Sequence, residues 1–132
     1  MINQNPSSPR IYARYHWNRT GIALQPGASY QFSATGIWWD AFIKCGADGY
    51  PKGNFVQEWA RDLRRSPEND WFALIGAVNR DLSTRFLIGL GRIYKVPENG
   101  GGELFCFAND VWGFYWNNFG YVTLTVITVP KP

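Results

Sequence analysis

The sequence predicts an all-β domain, a β-sandwich or jelly roll with one short amphipathic helix. Three observations carry that expectation. Apolar and polar residues alternate over several short stretches, Gly- and Pro-bearing turns divide those stretches, and one segment alone repeats with a helical period. At 132 residues the chain is sized for a single domain over 1–132 with one core. Seven Trp, seven Tyr and nine Phe supply ample material for it, with rings left over for a surface.

Taken in order, Met1–Arg10 is polar and carries two prolines, so residues 1–10 are expected to be flexible and do not read as a secretory signal. Ile11, Ala13, Tyr15 and Trp17 alternate with Tyr12, Arg14 and His16; Tyr30, Phe32 and Ala34 alternate with Gln31, Ser33 and Thr35; Val122, Leu124 and Val126 alternate with Thr123 and Thr125. Each pattern places an apolar row on one face of a strand. The runs Trp71–Val78, Arg85–Leu90 and Leu104–Ala108 read as strands covered on both faces. Pro26-Gly27 and the stretch from Pro97 to Gly102 mark turns. In Asn54–Arg65, Phe55, Trp59 and Leu63 recur every four positions, and Asn54 with Gln57 has the form of a capping box. This predicts a helix laid over the sandwich and ending before Pro67.

Composition narrows the function classes. The formal charge of +3 is spread along the chain, and the one cluster, Arg61, Arg64 and Arg65, reads as a solvated helix face rather than a phosphate-binding patch. No apolar run reaches transmembrane length. The expectation is a soluble protein without membrane insertion or nucleic-acid binding, cytoplasmic or exported by a non-classical route. Cys45 and Cys106 have no metal-type spacing; buried free thiols and a disulfide between adjacent strands both remain open. The lone histidine, His16, sits in an alternating strand as a surface or packing residue. No nucleophile elbow, Cys–His motif or phosphate-cradling glycine loop is present, and nothing in the spacing of Asp40, Asp48 and Asp110 demands that they converge. The expectation is therefore no enzyme.

The loop Asn109–Gly120 concentrates oxygen-bearing side chains. Asp110, Asn117 and Asn118 are the residue types that bind a hard cation such as Ca²⁺, and Gly113 and Gly120 permit bends that turn carbonyls inward. A long polar turn has the same composition. The loop resembles the signature of the bacterial soluble galactose-binding lectin A family, Asn-Asp-Val-Pro-Gly-Thr-Tyr-Gly-Asn-Asn-Ser-Gly, with which Asn109, Asp110, Val111, Gly113, Tyr115, Asn117, Asn118 and Gly120 coincide. The segments Thr20–Gly27, Ala34–Gly36 and Tyr121–Val126 are similar in character to strands of that family.

The resemblance implies a galactose-binding-domain-like sandwich and a calcium-dependent, galactoside-type lectin, and a homo-oligomer is expected because several weak sites presented together gain strength. In that family a bound Ca²⁺ accepts two neighbouring sugar hydroxyls. Carried over by position, Asp110, Asn117 and Asn118 supply side-chain oxygens, Phe114 a backbone carbonyl, and Asp40, approximately, another. That makes about five or six protein oxygens and leaves about two places for hydroxyls, around a single carboxylate and hence a net positive site. The sugar contacts implied are Asp110, Val111, Phe114, Asn117 and Tyr50, with Trp112 and Trp116 where the family has Pro and Gly. These two rings, with Phe114, fit stacking on a sugar, covering the ion, or packing on a neighbouring loop. In the family's His-Pro-Asp-Gln segment this chain has Tyr50-Pro51-Lys52-Gly53, so Tyr50 replaces the His and Gly53 removes the Gln contact. Two rival readings stand beside the lectin: an interaction domain that has lost the metal, and a glycoside-acting enzyme.

Overall fold

The computed structural model describes residues 8–130. They form two antiparallel sheets. The first joins β1 (Arg10–Tyr12), β9 (Asn118–Val129) and β3 (Ser29–Asp40); the far edge of β3 is shared by β7 (Gly91–Lys95) along its first half and β4 (Ile43–Cys45) at its end. The second runs β2 (Asn18–Leu24), β8 (Gly102–Ala108), β5 (Leu74–Val78), β6 (Asp81–Leu87). The alternation read in the sequence sets the packing. Tyr30, Phe32, Ala34 and Trp38 of β3 and Val122, Leu124 and Val126 of β9 point inward, onto Leu74, Leu104 and Cys106 of the other sheet.

β5 and β8 are buried on both faces, as their unbroken apolar runs predict. Trp17, Ile75, Phe107 and Leu82 pack together apart from the inter-sheet core. The run Arg85–Leu90 departs from the expectation: Phe86 and Ile88 are buried, but Leu87 and Leu90 face out.

The first alternating stretch also changes course. β1 ends at Tyr12 because Asn18 closes a turn over it, accepting from the Tyr12 amide at 2.8 Å and donating to the Tyr12 carbonyl at 3.0 Å. Ile11 and Ala13 are buried, Tyr15 is exposed, and Trp17 joins Phe107. Residues 1–7 lie outside the described residues. Pro9 and Arg10, expected to be flexible, are held by β9, with the Leu124 amide donating to the Pro9 carbonyl at 3.0 Å.

The helix forms as α1 (Phe55–Trp59), followed by a 3-10 turn at Arg61–Leu63. Both halves of the capping box are made: the Gln57 amide donates to Asn54 Oδ1 at 2.9 Å, and the Asn54 amide to Gln57 Oε1 at 2.8 Å. Its rotation is opposite to the expectation. Phe55 and Trp59 are each 85% exposed and Leu63 63%, while Gln57 and Ala60 are buried. At about 100° per residue, burying Gln57 turns positions two before and two after it roughly 160° away. The polar cap residue, not the apolar stripe, docks.

Arg64 and Arg65, expected on a solvated face, are buried too. Each replaces water with carbonyls and rings. The Arg64 guanidinium lies 5.1 Å from the Trp71 ring and donates to the carbonyls of Arg61 and Pro67; that of Arg65 lies 3.7 Å from Phe107 and 4.5 Å from Trp17. The expected surface pairing on the helix is present between Arg61 and Glu58 at 2.7 Å. Both cysteines are free thiols; burial pushes them up, Cys45 to about 12.

Candidate functional site

The segment joining β8 to β9 is a built structure, not an open turn. Residues Trp112–Asn117 form a 3-10 turn. Asn109 braces its entry from below: Oδ1 accepts from the Ser66 amide at 2.9 Å, and Nδ2 donates to the carbonyls of Ser66, Asn69 and Asp70. The Arg65 amide donates to the Asp110 carbonyl at 3.0 Å. Buried Tyr115 anchors the middle, its hydroxyl donating to the Ala108 carbonyl. Gly120 takes the left-handed conformation, φ +82°, where β9 passes Ile37; Gly113 does not, and has open space where a Cβ would stand.

An oxygen cluster forms where this loop meets the sheet. Asp40, last in β3, pairs with Asn118, first in β9. Strand alternation sends Asp40 inward on the same side as Trp38, so it is a buried carboxylate facing Asp110. Asp110 is buried; its Oδ1 accepts from the Val111 amide at 2.8 Å and its Oδ2 from Asn118 Nδ2 at 3.2 Å. Asn118 spends its other amide hydrogen on the Ala13 carbonyl at 3.0 Å. That fixes which end of the Asn118 amide is left over. Asn118 Oδ1 and Asn117 Oδ1 are both buried with no hydrogen-bond partner.

Ionisation registers the same imbalance. Burial, then the charge of Asp40, pushes the Asp110 carboxyl up to about 7. Burial also raises Asp40, against hydrogen bonds from Tyr50 and Gln57. The site thus brings together two carboxylates, Asp40 and Asp110, rather than the one expected. Each unpaired buried acceptor costs roughly 1–3 kcal/mol. Among the described residues no three His, Cys, Asp or Glu side chains gather, so the donor set is amide and carboxylate oxygen. Hard cations such as Ca²⁺ prefer that set, and the residues fit such an ion.

No family model and no curated protein sequence matches this chain. In structure it is similar to a solved chain described as "EclA N-terminal domain; PllA-like lectin", with a TM-score of 0.72, 18% sequence identity, and 96% of this chain and 100% of that chain covered. The two chains share a β-sandwich fold.

Within this fold the expected site residues divide. Asp40, Phe114, Trp116 and Asn117 line one cleft, with Ala41, Phe42, Ile43, Asn54, Val56 and Gln57. Asp110 and Asn118 lie deeper, at less than 2% exposure. Val111 pairs through its backbone with Arg64. Trp112 turns away from the cleft and stacks on His16, ring centroids 3.9 Å apart, with the Arg65 guanidinium 4.8 Å from its ring. His16 is a packing residue, as expected.

Tyr50 is engaged: its hydroxyl donates to Asp40 Oδ2 and accepts from Gln57 Nε2 at 2.6 Å. Gln57 is the residue that sequence reasoning missed. Its Nε2 also donates to Asp40 Oδ2 at 2.8 Å. A Cβ on Gly53 would stand 2.3 Å from Gln57 Oε1, so the amide of Gln57 fills the space beside position 53. The capping box was the available signal, since it ties Gln57 to the segment that follows Tyr50.

Proposed function

We propose that this domain is a non-catalytic, calcium-dependent carbohydrate-binding protein of galactoside type. The observation that carries the reading is the pair of buried, unpartnered amide oxygens of Asn117 and Asn118 beside two buried carboxylates. An arrangement with that much uncompensated acceptor character is expected to be completed by a cation. Ca²⁺ supplies the positive centre to which vicinal sugar hydroxyls coordinate. Asp110, Asn117 and Asn118 offer side-chain oxygens, Phe114 its carbonyl, and Asp40 its charge. Tyr50 and Gln57 orient Asp40, so that the carboxylate is held before ligand arrives. Trp116, on the cleft wall, presents an apolar face to a sugar, and Trp112 serves packing on His16. The neighbouring lectin fold supports carbohydrate as the ligand class. Several weak sites on a homo-oligomer would supply avidity.

A glycan array read with and without chelator, together with Ca²⁺ calorimetry, tests the proposal. Galactosides are expected to bind with calcium only, and Asp110→Ala to abolish both ion and sugar binding while the fold persists. Glycan binding indifferent to chelator would overturn it. The coupled carboxylates, with Asp110 near neutrality, favour a hydrolase as the second reading; turnover of aryl galactosides by the wild type and none by Asp110→Asn would establish it instead.

A further inference from the structure

The cleft beside the oxygen cluster has a volume of about 280 Å³ and a mixed lining. Asp40, Gln57 and Asn117 contribute polar groups to it, and Phe42, Val56 and Trp116 apolar ones. Phe42 is 96% exposed and Trp116 72%, so neither ring contributes much to the core. Phe42 is also placed at a cost. It sits at the tip of the two-residue turn between Asp40 and Ile43, and its neighbour Ala41 adopts φ +53°, a left-handed conformation strained for a residue with a Cβ. The Ala41 amide donates to the Asn117 carbonyl at 3.1 Å, which ties this strained turn to the residue whose Oδ1 is unpartnered. The turn itself closes the β3–β4 hairpin, but the phenylalanine at its tip gains almost nothing from burial. A solvated aromatic ring kept beside a cleft points to a ligand.

We infer that Phe42, Val56 and Trp116 form a second saccharide subsite, which takes the apolar C–H face of the sugar ring joined to the one held at the oxygen cluster. The inference rests on the reading of that cluster as a cation-dependent sugar site. A pyranose has a hydroxyl-bearing edge and an apolar face, and the lining of this cleft offers groups for each. Because Trp116 adjoins Asn117 and both line the same cleft as Asp40, the occupant of the apolar groups is the next ring of the same glycan. The domain therefore selects oligosaccharides over monosaccharides, and Phe42 selects among linkages by fixing where the second ring lies.

The test is calorimetry in saturating Ca²⁺ with methyl β-galactoside and a panel of galactosyl disaccharides of differing linkage. At least one disaccharide is expected to bind wild type about five- to tenfold more tightly than the methyl glycoside, the range of one aromatic contact. Phe42→Ala should remove that advantage while leaving methyl galactoside and Ca²⁺ affinities within about twofold, and Phe42→Tyr should keep it. Phe42 is almost fully solvated, so both variants fold. Equal affinity of wild type for every disaccharide and the methyl glycoside overturns the subsite, as does an advantage that survives Phe42→Ala. Failure of the parent reading looks different: no member of the panel binds in a calcium-dependent way.

Discussion

The loop Trp112–Asn117 has buried charge on each side, Arg65 on one and Asp40 with Asp110 on the other, and the two are treated in opposite ways. On one side the Arg65 guanidinium is buried with no carboxylate hydrogen-bonded to it, and its Nε and Nη2 have no hydrogen-bond partner. Yet it is surrounded by Phe107, Trp17, Trp112 and Tyr115, and Nη1 donates to the His16 carbonyl and the Tyr115 hydroxyl. Ring faces are weak acceptors for a diffuse cation, so this charge is satisfied by the protein itself. On the other side Asp40 and Asp110 each accept two hydrogen bonds, but they repel one another, and the amide oxygens of Asn117 and Asn118 beside them accept none. Buried charge alone therefore does not mark a ligand site. What marks it is charge and lone pairs that the fold leaves unanswered.

The largest effect expected from this contrast is at Asp110. Asp110→Asn keeps the shape but removes one of two facing carboxylates. Calcium affinity should fall about a thousandfold, a loss of roughly 4 kcal/mol. In chelator at pH 8 the same variant should unfold at a higher temperature than wild type, because a buried charge with a like neighbour has gone. Scanning calorimetry with and without calcium checks the sign change. Destabilisation under both conditions would make Asp110 an ordinary structural residue.

Arg65→Met should behave in the reverse manner. It removes a group that the protein already satisfies and leaves Tyr115 and the His16 carbonyl short of a donor, at a cost of roughly 3–4 kcal/mol in either buffer. Calcium affinity is expected to stay within about threefold. Chemical denaturation and ion titration on one sample separate the two quantities; an unchanged unfolding midpoint would erase the distinction between the two sides of the loop.

The pH dependence of the metal-free protein follows from Asp110. Its folded value of about 7 lies above the ordinary 3.8, so the folded state holds the proton more tightly than the unfolded chain does. The contribution of Asp110 to stability in chelator should therefore be greatest near pH 4 and decline as pH rises to about 7, by on the order of 4 kcal/mol, levelling above that. With calcium the trend reverses, since the ion competes with that proton and weakens as pH falls below about 7. Melting temperatures across pH 4–8 in the two buffers should cross; parallel curves would disconnect Asp110 from the ion.

Much of the fold was legible because period two in Tyr30–Ala34 and Val122–Val126 reports burial directly: opposite faces of a strand meet opposite environments. The capping box at Asn54 and Gln57 was legible for a similar reason, as both partners lie within one turn. The rotation of α1 was not. A stripe at Phe55, Trp59 and Leu63 shows that one helix face is apolar, but which face docks is decided by Gln57 reaching Asp40 and Tyr50, contacts 17 and 7 residues away in sequence. Arg64 and Arg65 were misread on the same ground, since rings that enclose them come from distant segments. For the site, Asp110, Asn117 and Asn118 were legible in the loop itself. The second carboxylate required knowing that Asp40 and Asn118 are paired.

The smallest predicted effect addresses that hidden contact. Gly53 has an ordinary backbone conformation, so Gly53→Ala strains nothing locally; its new methyl would meet the Gln57 side chain at 2.3 Å from Oε1 and 2.7 Å from Cβ. Gln57 must move, and with it go the Asn54 half of the capping box and the two hydrogen bonds that orient Asp40 and Tyr50. Loss of one cap contact costs about 1 kcal/mol, and a loosened carboxylate should lower calcium affinity about three- to tenfold. A double-mutant cycle isolates the route. In a Gln57→Ala background there is no side chain to displace, so Gly53→Ala should have almost no further effect on ion affinity. Additive losses would mean that position 53 acts on the cluster by some other path, and that the amide of Gln57 is a neighbour of the site without being part of how it is held.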